Sequence, residues 1–453
     1  MKIYLLTDFG STYTKVMAVD VESKRIVGFA KSFTTIEDDV TIGYKKALNE
    51  IYGQLGNFTP AASLACSSAA GGLKMVSSGL VPDLTAKASR LAAASAGAKV
   101  MKTYSYELTE FEQEEIEVIN PDIMLLSGGI DGGNKKVLLH NAGIIAGVPG
   151  DFFVIVAGNR SAAAEAKQIL TAGGKRVVVC ENVMPVFGKL NIMPAKAAIR
   201  DLFIENIVSA KGLDKVAAMM DMEIIPTPLA AFEACELLSK HLGEIMAYDL
   251  GGATCDVYSM ADGLPKGPNA FISGIQEPYA KRTVEGDVGM RYSMTALYDL
   301  IMEQDPSFAS PDVSAWMEIC KGDPSVMPIG ENAKYSEIDA SFAAWAVRLS
   351  AARHVGHVEK VFTPAGEMLS QEGKDLTAVK YIIGTGGAII NAANPAVILK
   401  EAIYSGRDLN LLKPTEAKIL LDKQNALAAM GLLSRRDPQL AAQLMEEHFI
   451  ELC

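Results

Sequence analysis

The segment DFGSTYTKV, Asp8–Val16, decides how this chain is read, because DLGGATCDV, Asp249–Val257, repeats its plan 241 residues later (249 − 8). Aspartate, glycine and valine stay in register, and each segment follows an apolar run, IYLLT in one case and EIMAY in the other. A strand that delivers Asp8 and then turns through Gly10, Ser11 and Thr12 presents backbone N–H groups and hydroxyls to an oxyanion, since glycine admits close approach of the main chain. Gly251, Gly252 and Thr254 make the same offer in the second segment. Two such turns suit one triphosphate gripped from both sides. Asp8 and Asp249, at the mouths, suit Mg²⁺ that keeps most of its waters, and Lys15 suits neutralisation of phosphate charge, its bland alternative being a surface lysine.

An isolated D-x-G-x-T turn is common at strand ends and says little alone. A third element changes its meaning: in YIIGTGGAII the predicted strand Tyr381–Ile383 runs into Gly384, Gly386 and Gly387, a flat backbone surface on which an adenosine can lie. Together the three elements read as an ATP/ADP site with Mg²⁺. AGGKR lacks the spacing and the hydroxyl residue of a P-loop, and SGGIDGG, Ser127–Gly133, is not a dinucleotide fingerprint; the latter reads as a strand-end anion or backbone-contact turn.

Composition narrows the partners. With 42 basic against 54 acidic residues, a net charge of −12 disfavours nucleic acid and anionic membranes. Any phosphate must therefore be held locally. The six cysteines form no C-x-x-C pair, which fits a reducing compartment; the opening apolar run is too short for a signal peptide, and no stretch approaches a membrane span. A cytoplasmic protein is expected, and a homo-oligomer is compatible with the sequence.

The runs IYLLT, SLACSS, DIMLLSGG, FFVIVAGN, RVVVCEN, EIMAYDLGG and KYIIGTGG alternate with alanine-rich helical stretches, and most end in Gly, Ser or Asn, as strands do at a carboxyl edge. The expectation is an α/β protein with a first lobe over 1–245 that carries an inserted α/β module at about 60–225, and a second lobe over 246–453. FFVIVAGNRSAAAEAKQILTAGGKRVVVCEN reads as one βαβ unit of the module, and the glutamate-rich LTEFEQEEIEVINPD as a solvated helix face. Ser336 and Asp339 have capping-box spacing ahead of a helix predicted to run through FAAWAVRLSAARHVGHVEKV. On it His354 and His357 read as structural or surface histidines rather than metal ligands.

These motifs resemble the superfamily of actin, sugar kinases and heat-shock chaperone ATPases. The order of phosphate-1 (Asp8–Lys15), connect-1, phosphate-2 (Asp249–Asp256), adenosine (Gly384–Ala388) and connect-2 is that superfamily's order. The resemblance implies an actin-like ATPase fold, two ribonuclease-H-like lobes around a nucleotide cleft. It also implies a closing alanine-rich helix on connect-1, where Ala230, Ala231, Ala428 and Ala429 allow close approach. One position departs from it: the acid that opens connect-1 in chaperone-like members is replaced by Thr227. Hydrolysis is then slow, or it uses another carboxylate such as Asp256 or Glu285, so Asp8, Asp249 and Asp256 are the catalytic candidates of a weak ATPase.

Longer strings, among them CSSAAGGLKMVSSGLVPDLTAKASRLAAASAGAKV, INPDIMLLSGGIDGG and KRTVEGDVGMRYS, resemble the accessory proteins of glutamate (methylaspartate) mutase, reactivating factors of adenosylcobalamin-dependent aminomutases. For Glu285, Gly286 and Asp287 the resemblance suggests a nucleotide-side or hinge role, against a plain polar turn. It implies a chaperone-like partner of the aminomutase that uses ATP to exchange damaged cobalamin for adenosylcobalamin. The chain has no D-x-H-x-x-G, by which many mutases supply a histidine to cobalt, so it is expected to handle the mutase and not the corrin. The rival readings are a small-molecule kinase, which needs a substrate-side base not evident here, and an actin-like filament protein.

Overall fold

A computed structural model describes residues 1–10, 13–35, 39–68, 74–207, 212–267, 269–364 and 366–452, with 204–207 described by backbone only. The chain divides into two compact units, one of Met1–Ala234 with Ala428–Leu444, the other of Cys235–Leu427 with Met445–Cys453.

The first unit begins with three antiparallel strands, β1 (Ile3–Phe9), β2 (Tyr13–Asp20) and β3 (Arg25–Phe33), followed after a helix over Val40–Leu55 by β4 (Ala62–Ser67). β1, IYLLTDF, is buried along its whole length, Thr7 and Asp8 included, because neighbours flank both sides, β2 antiparallel and β4 parallel. The next five strands are β5 (Lys74–Gly79), β6 (Lys99–Ser105), β7 (Ile123–Leu126), β8 (Phe153–Val156) and β9 (Arg176–Val179), paired in parallel in the order β6-β5-β7-β8-β9. β8, the helix Arg160–Ala172 and β9 form the expected βαβ unit. Within the span 60–225 the added sheet begins only at β5, because β4 pairs with β1; β10 (Ile225–Pro226) then returns to β4 and completes the first sheet as β10-β4-β1-β2-β3. The glutamate-rich segment is a helix over Glu110–Ile119 whose capping box joins Thr109 and Glu112.

The second unit repeats the first sheet's plan. β11 (Ile245–Leu250) and β12 (Cys255–Met260) form a hairpin; β13 (Ala270–Ile272) lies elsewhere, and β14 (Ala280–Glu285) pairs antiparallel with β12. β15 (His357–Thr363) and β16 (Gly366–Glu372) join β13 in a small sheet. β17 (Tyr381–Thr385) and β18 (Lys418–Leu421) run parallel to β11, and β19 (Ile450–Leu452) closes the edge, giving β14-β12-β11-β17-β18-β19. Numbered within each unit, both sheets read 3-2-1-4-5, with strands 1 to 3 antiparallel and 4 and 5 parallel to 1. This duplicated ribonuclease-H-like sheet, with a parallel α/β module inserted between strands 4 and 5 of the first copy, is the actin-like ATPase fold.

Two local expectations are corrected. Ser336 is the first residue of its helix and caps nothing, since Tyr335 holds the N-cap position; Asp339 instead accepts Arg291 Nη1 at 2.8 Å and Trp316 Nε1 at 2.9 Å in the core. The helix also ends at His354 and does not run on to 361. At Gly356 the chain passes so close to the β16 turn that a Cβ would stand 2.7 Å from the Glu372 carbonyl oxygen, and β15 follows.

Candidate functional site

The two acid-glycine segments are the same hairpin in structure. In the first unit Asp8 pairs with Lys15 across β1 and β2, and the Gly10 N–H donates to the Tyr13 carbonyl at 3.1 Å. In the second, Asp249 pairs with Asp256 across β11 and β12, and the Gly251 N–H donates to the Thr254 carbonyl at 2.9 Å. Every partner is displaced by the same 241 residues (251 − 10 and 254 − 13). Gly10 is demanded by this closure, because a Cβ there would lie 2.7 Å from the Tyr13 oxygen. Ser11 and Thr12 lie outside the described residues.

Asp8 is buried and well partnered. Its Oδ2 meets Lys15 Nζ at 3.2 Å, and its Oδ1 accepts the Thr227 hydroxyl at 2.7 Å and faces the Cys66 thiol at 3.5 Å. Burial, with Asp8 beside it, pushes the Cys66 thiol well above its ordinary range, so Cys66 is a neutral donor here rather than a nucleophile. Thr227, which follows strand 5 of the first sheet, thus orients Asp8.

In the second unit the acid that pairs with Asp249 is itself neutralised. Asp256 Oδ1 accepts Arg282 Nε at 2.8 Å and Nη2 at 2.5 Å, and Thr254 Oγ1 donates to its Oδ2 at 3.2 Å. Arg282 is 3% exposed; its burial works against the charge, but Asp256 more than offsets it and raises the guanidinium further. The residue after strand 5 is Asp422, which accepts Thr385 Oγ1, Ala426 N and Leu427 N, each at 2.9 Å, and so caps the helix Leu427–Ser434.

The adenosine-loop glycines divide into two kinds. Gly384 lies inside β17, which extends to Thr385, and its missing side chain makes room for Leu399, a packing role. Gly386 has φ 88° and lies against the backbone of Leu250, where a Cβ would also stand 2.8 Å from Asp249 Oδ1. The structure therefore brings Gly386, with Gly387 next to it in the chain, up to the phosphate-2 hairpin within one unit. The segment after β14 closes on the same hairpin: Met290 N donates to Gly251 O at 3.1 Å, Arg291 N and Tyr292 N to Gly252 O at 2.8 and 2.9 Å, and Ser293 Oγ to Ala253 O and Gly286 O, both at 2.7 Å. Arg353 holds Glu285 and Asp287 at the start of this segment, at 3.0 and 2.6 Å. At Gly252 a Cβ would meet nothing closer than 3.6 Å, so its glycine leaves room rather than relieving a clash.

Arg282, Arg291, Ser293, Thr385 and Asp422 were not singled out from sequence; the first four act through a partner distant in the chain, which no local pattern marks, whereas the Asp422 cap is made to amides four and five residues on. Among the described residues there is no cluster of three metal-binding side chains, and buried His354 is a core residue, bonded through Nδ1 to Thr283 and through Nε2 to Ser259, both at 2.8 Å. The donor set at the hairpins is carboxylate, hydroxyl and backbone, hard oxygen chemistry that fits Mg²⁺ carried on a nucleotide, which needs only one or two protein carboxylates. On connect-1, Gly431 of the closing helix abuts the Ala230 backbone, and Arg435 pairs with Glu233 through two bonds of 2.6 Å. No helix among the described residues is long and apolar enough to cross a membrane.

The duplicated sheet and its matched glycine hairpins define a protein of the actin-like class, which includes sugar kinases and chaperone ATPases. The model of the MutL protein family matches residues 4–449, and the chain belongs to that family. Protein MutL of Clostridium tetanomorphum is 41% identical over 464 residues, covering 100% of both chains. Among solved structures, nucleotide-free acetone carboxylase is similar at 12% identity and TM-score 0.43, over 96% of this chain and 70% of that one. The activator of 2-hydroxyisocaproyl-CoA dehydratase from Clostridium difficile with bound ADPNP is similar at 10% identity and TM-score 0.31, over 98% and 97%.

Proposed function

We propose that this protein is an ATP-dependent accessory factor of an adenosylcobalamin-dependent aminomutase of the glutamate mutase type, and that it returns a stalled mutase to activity by letting damaged cobalamin leave and intact adenosylcobalamin enter. The observation that carries this reading is the full-length MutL family match, supported by the duplicated hairpin. In this reading both hairpins serve ATP: Gly10, Gly251, Gly252 and Thr254 face phosphate oxygens, Lys15 offsets their charge, and the Gly386–Gly387 backbone lies under the adenosine. Asp8 and Asp249 are the carboxylates that would hold Mg²⁺ carried on the nucleotide, and the ion would supply charge neutralisation to the phosphates. Asp256, fixed by Arg282, is the third acid of the site, and Thr227, a hydroxyl where chaperones have an acid, keeps turnover slow.

The partner is the mutase, and the work is done in a reducing, cytoplasmic setting. Only contacts that differ between ATP and ADP can drive it, and reversing a 1:99 preference between two states takes about 5.5 kcal/mol. The test mixes the protein with a glutamate mutase stalled by an inert cobalamin, adds Mg-ATP and fresh coenzyme, and follows mutase activity. Recovery that requires ATP is expected; recovery no faster than spontaneous exchange removes the reading.

A further inference from the structure

The parallel sheet of the inserted module holds a feature that the hairpins do not use. Numbered by its own strands, the order β6-β5-β7-β8-β9 is 2-1-3-4-5, and the direction of winding reverses between β5 and β7. In doubly wound sheets that switch point is where a crevice opens outside the carboxyl ends of the strands. The loop Ser127–Gly133 leaves β7 there.

Two independent observations mark the point. Gly128 and Gly129 are buried, with φ of 149° and 70°, and the N–H groups of Gly128, Gly129 and Ile130 have no acceptor among the described residues. The rest of the loop is tied down: Gly128 O accepts Asn159 N at 3.1 Å, Gly129 O accepts Asn182 Nδ2 at 3.0 Å, and Gly132 N donates to Asn159 Oδ1 at 3.1 Å. Separately, Ser78 on β5 is fully buried, yet its Oγ has no partner. Ser78 is in register with Leu126, and its carbonyl accepts Ser127 N at 3.0 Å, which sets it beside the same loop. Buried amides and hydroxyls are almost always paired in folded proteins, so a tied-down loop with three consecutive amides that have no acceptor among the described residues, leaving the strand next to the one that carries the unpartnered Ser78 hydroxyl, is a donor set suited to an acceptor. Successive amides around a positive-φ glycine form an anion-binding concavity.

We propose that this switch point binds the oxyanion of a phosphate ester, at a site separate from the glycine hairpins. A mononucleotide and a coenzyme with a phosphodiester tail share that chemistry. The inference does not depend on the proposed function, because binding is read without any mutase.

The test titrates the full chain, in a Gly252→Val background that silences the hairpin site, with inorganic phosphate, AMP, hydroxocobalamin and cobinamide, a corrinoid lacking the phosphodiester. Binding of AMP or of hydroxocobalamin is expected, with cobinamide inert; which of the two binds identifies the source. Half-buried Leu80, whose Cβ would stand 3.9 Å from a Cβ placed at Gly128, gives the specific probe. Leu80→Asp should weaken binding at least about tenfold by like-charge repulsion, and Leu80→Asn should change it by less than about threefold. Ser78→Ala should weaken it by about three- to tenfold without lowering Tm, since the hydroxyl has no partner to lose in the free protein. Absence of binding by AMP and hydroxocobalamin at millimolar concentration, equal binding of cobinamide and cobalamin, or affinity indifferent to Leu80→Asp overturns the proposal.

Discussion

The first hairpin and the second share a backbone and differ in every side chain that supports it. Asp8 faces a lysine across its hairpin and takes a threonine from the end of strand 5; Asp249 faces another aspartate, which is neutralised by a buried arginine from strand 3. After strand 5 the first unit has Thr227, oriented toward the hairpin acid, and the second has Asp422, spent on a helix cap. What the duplication preserves is the glycine closure and the place of an acid. The electrostatics were solved twice for a buried carboxylate, once with the half-buried Lys15 and once with the fully buried Arg282.

Disabling either hairpin should give the largest effect. Asp249→Ala and Gly252→Val are expected to lower ATP affinity by about a hundredfold or more and to abolish ATP-dependent activity, with Tm nearly unchanged for Gly252→Val because a Cβ meets only ordinary contacts there. Asp8→Ala should match them in a nucleotide-binding titration; normal binding would show that the hairpins are not equivalent. Next in size is the contrast between the two cations. Arg282→Met leaves Asp256 buried without its charge partner and should cost about 3–5 kcal/mol in urea unfolding, whereas Lys15→Met removes a partner that is 24% exposed from an Asp8 that keeps the Thr227 hydroxyl, and should cost less, about 1–3 kcal/mol.

The second unit should also carry a pH dependence. Burial, with the Lys281 ammonium nearby, pulls Lys374 down to about 7 from 10.5, while its Nζ donates to the carbonyls of Pro278 and Tyr279 at 3.0 and 2.6 Å. Between about pH 7 and 10.5 the unfolded chain holds this proton and the folded chain has released it, so stability gains about 1.4 kcal/mol per pH unit as pH rises. Below pH 7 both states are protonated and the gain is absent. Lys374→Met should flatten the difference in unfolding free energy measured at pH 7 and 9. The smallest effect is expected from Thr227→Val, which removes one hydrogen bond to Asp8, costs about 1 kcal/mol, and should alter ATP turnover more than ATP affinity.

Much of this fold could be read from one-dimensional pattern. Each quoted apolar run is a strand, and the repeat of Asp8, Gly10 and Val16 at Asp249, Gly251 and Val257 marks the true duplication. Pattern failed where one residue type serves several ends. Asp339 sits at capping spacing but belongs to Arg291 and Trp316, and Gly384 looks like a loop glycine but clears space for Leu399 within a strand. The helix that stops at His354 carries its stop signal in Gly356, just past the C-cap Val355, but the helix predicted from sequence runs through that glycine; the approach of Gly356 to the turn after β16 shows why it is there.

By itself the sequence determined that two strand-glycine-strand units exist, because glycine and an acid at fixed spacing after an apolar run are local requirements of a tight hairpin. It also determined the net charge that confines phosphate binding to such local devices. Only tertiary structure decided which sheet each strand joined, that β4 and β10 flank the inserted module rather than belong to it, and that Arg282, 26 positions from Asp256, neutralises it. Those outcomes rest on pairings between distant residues, whose free energy depends on burial and geometry that no short window of sequence contains.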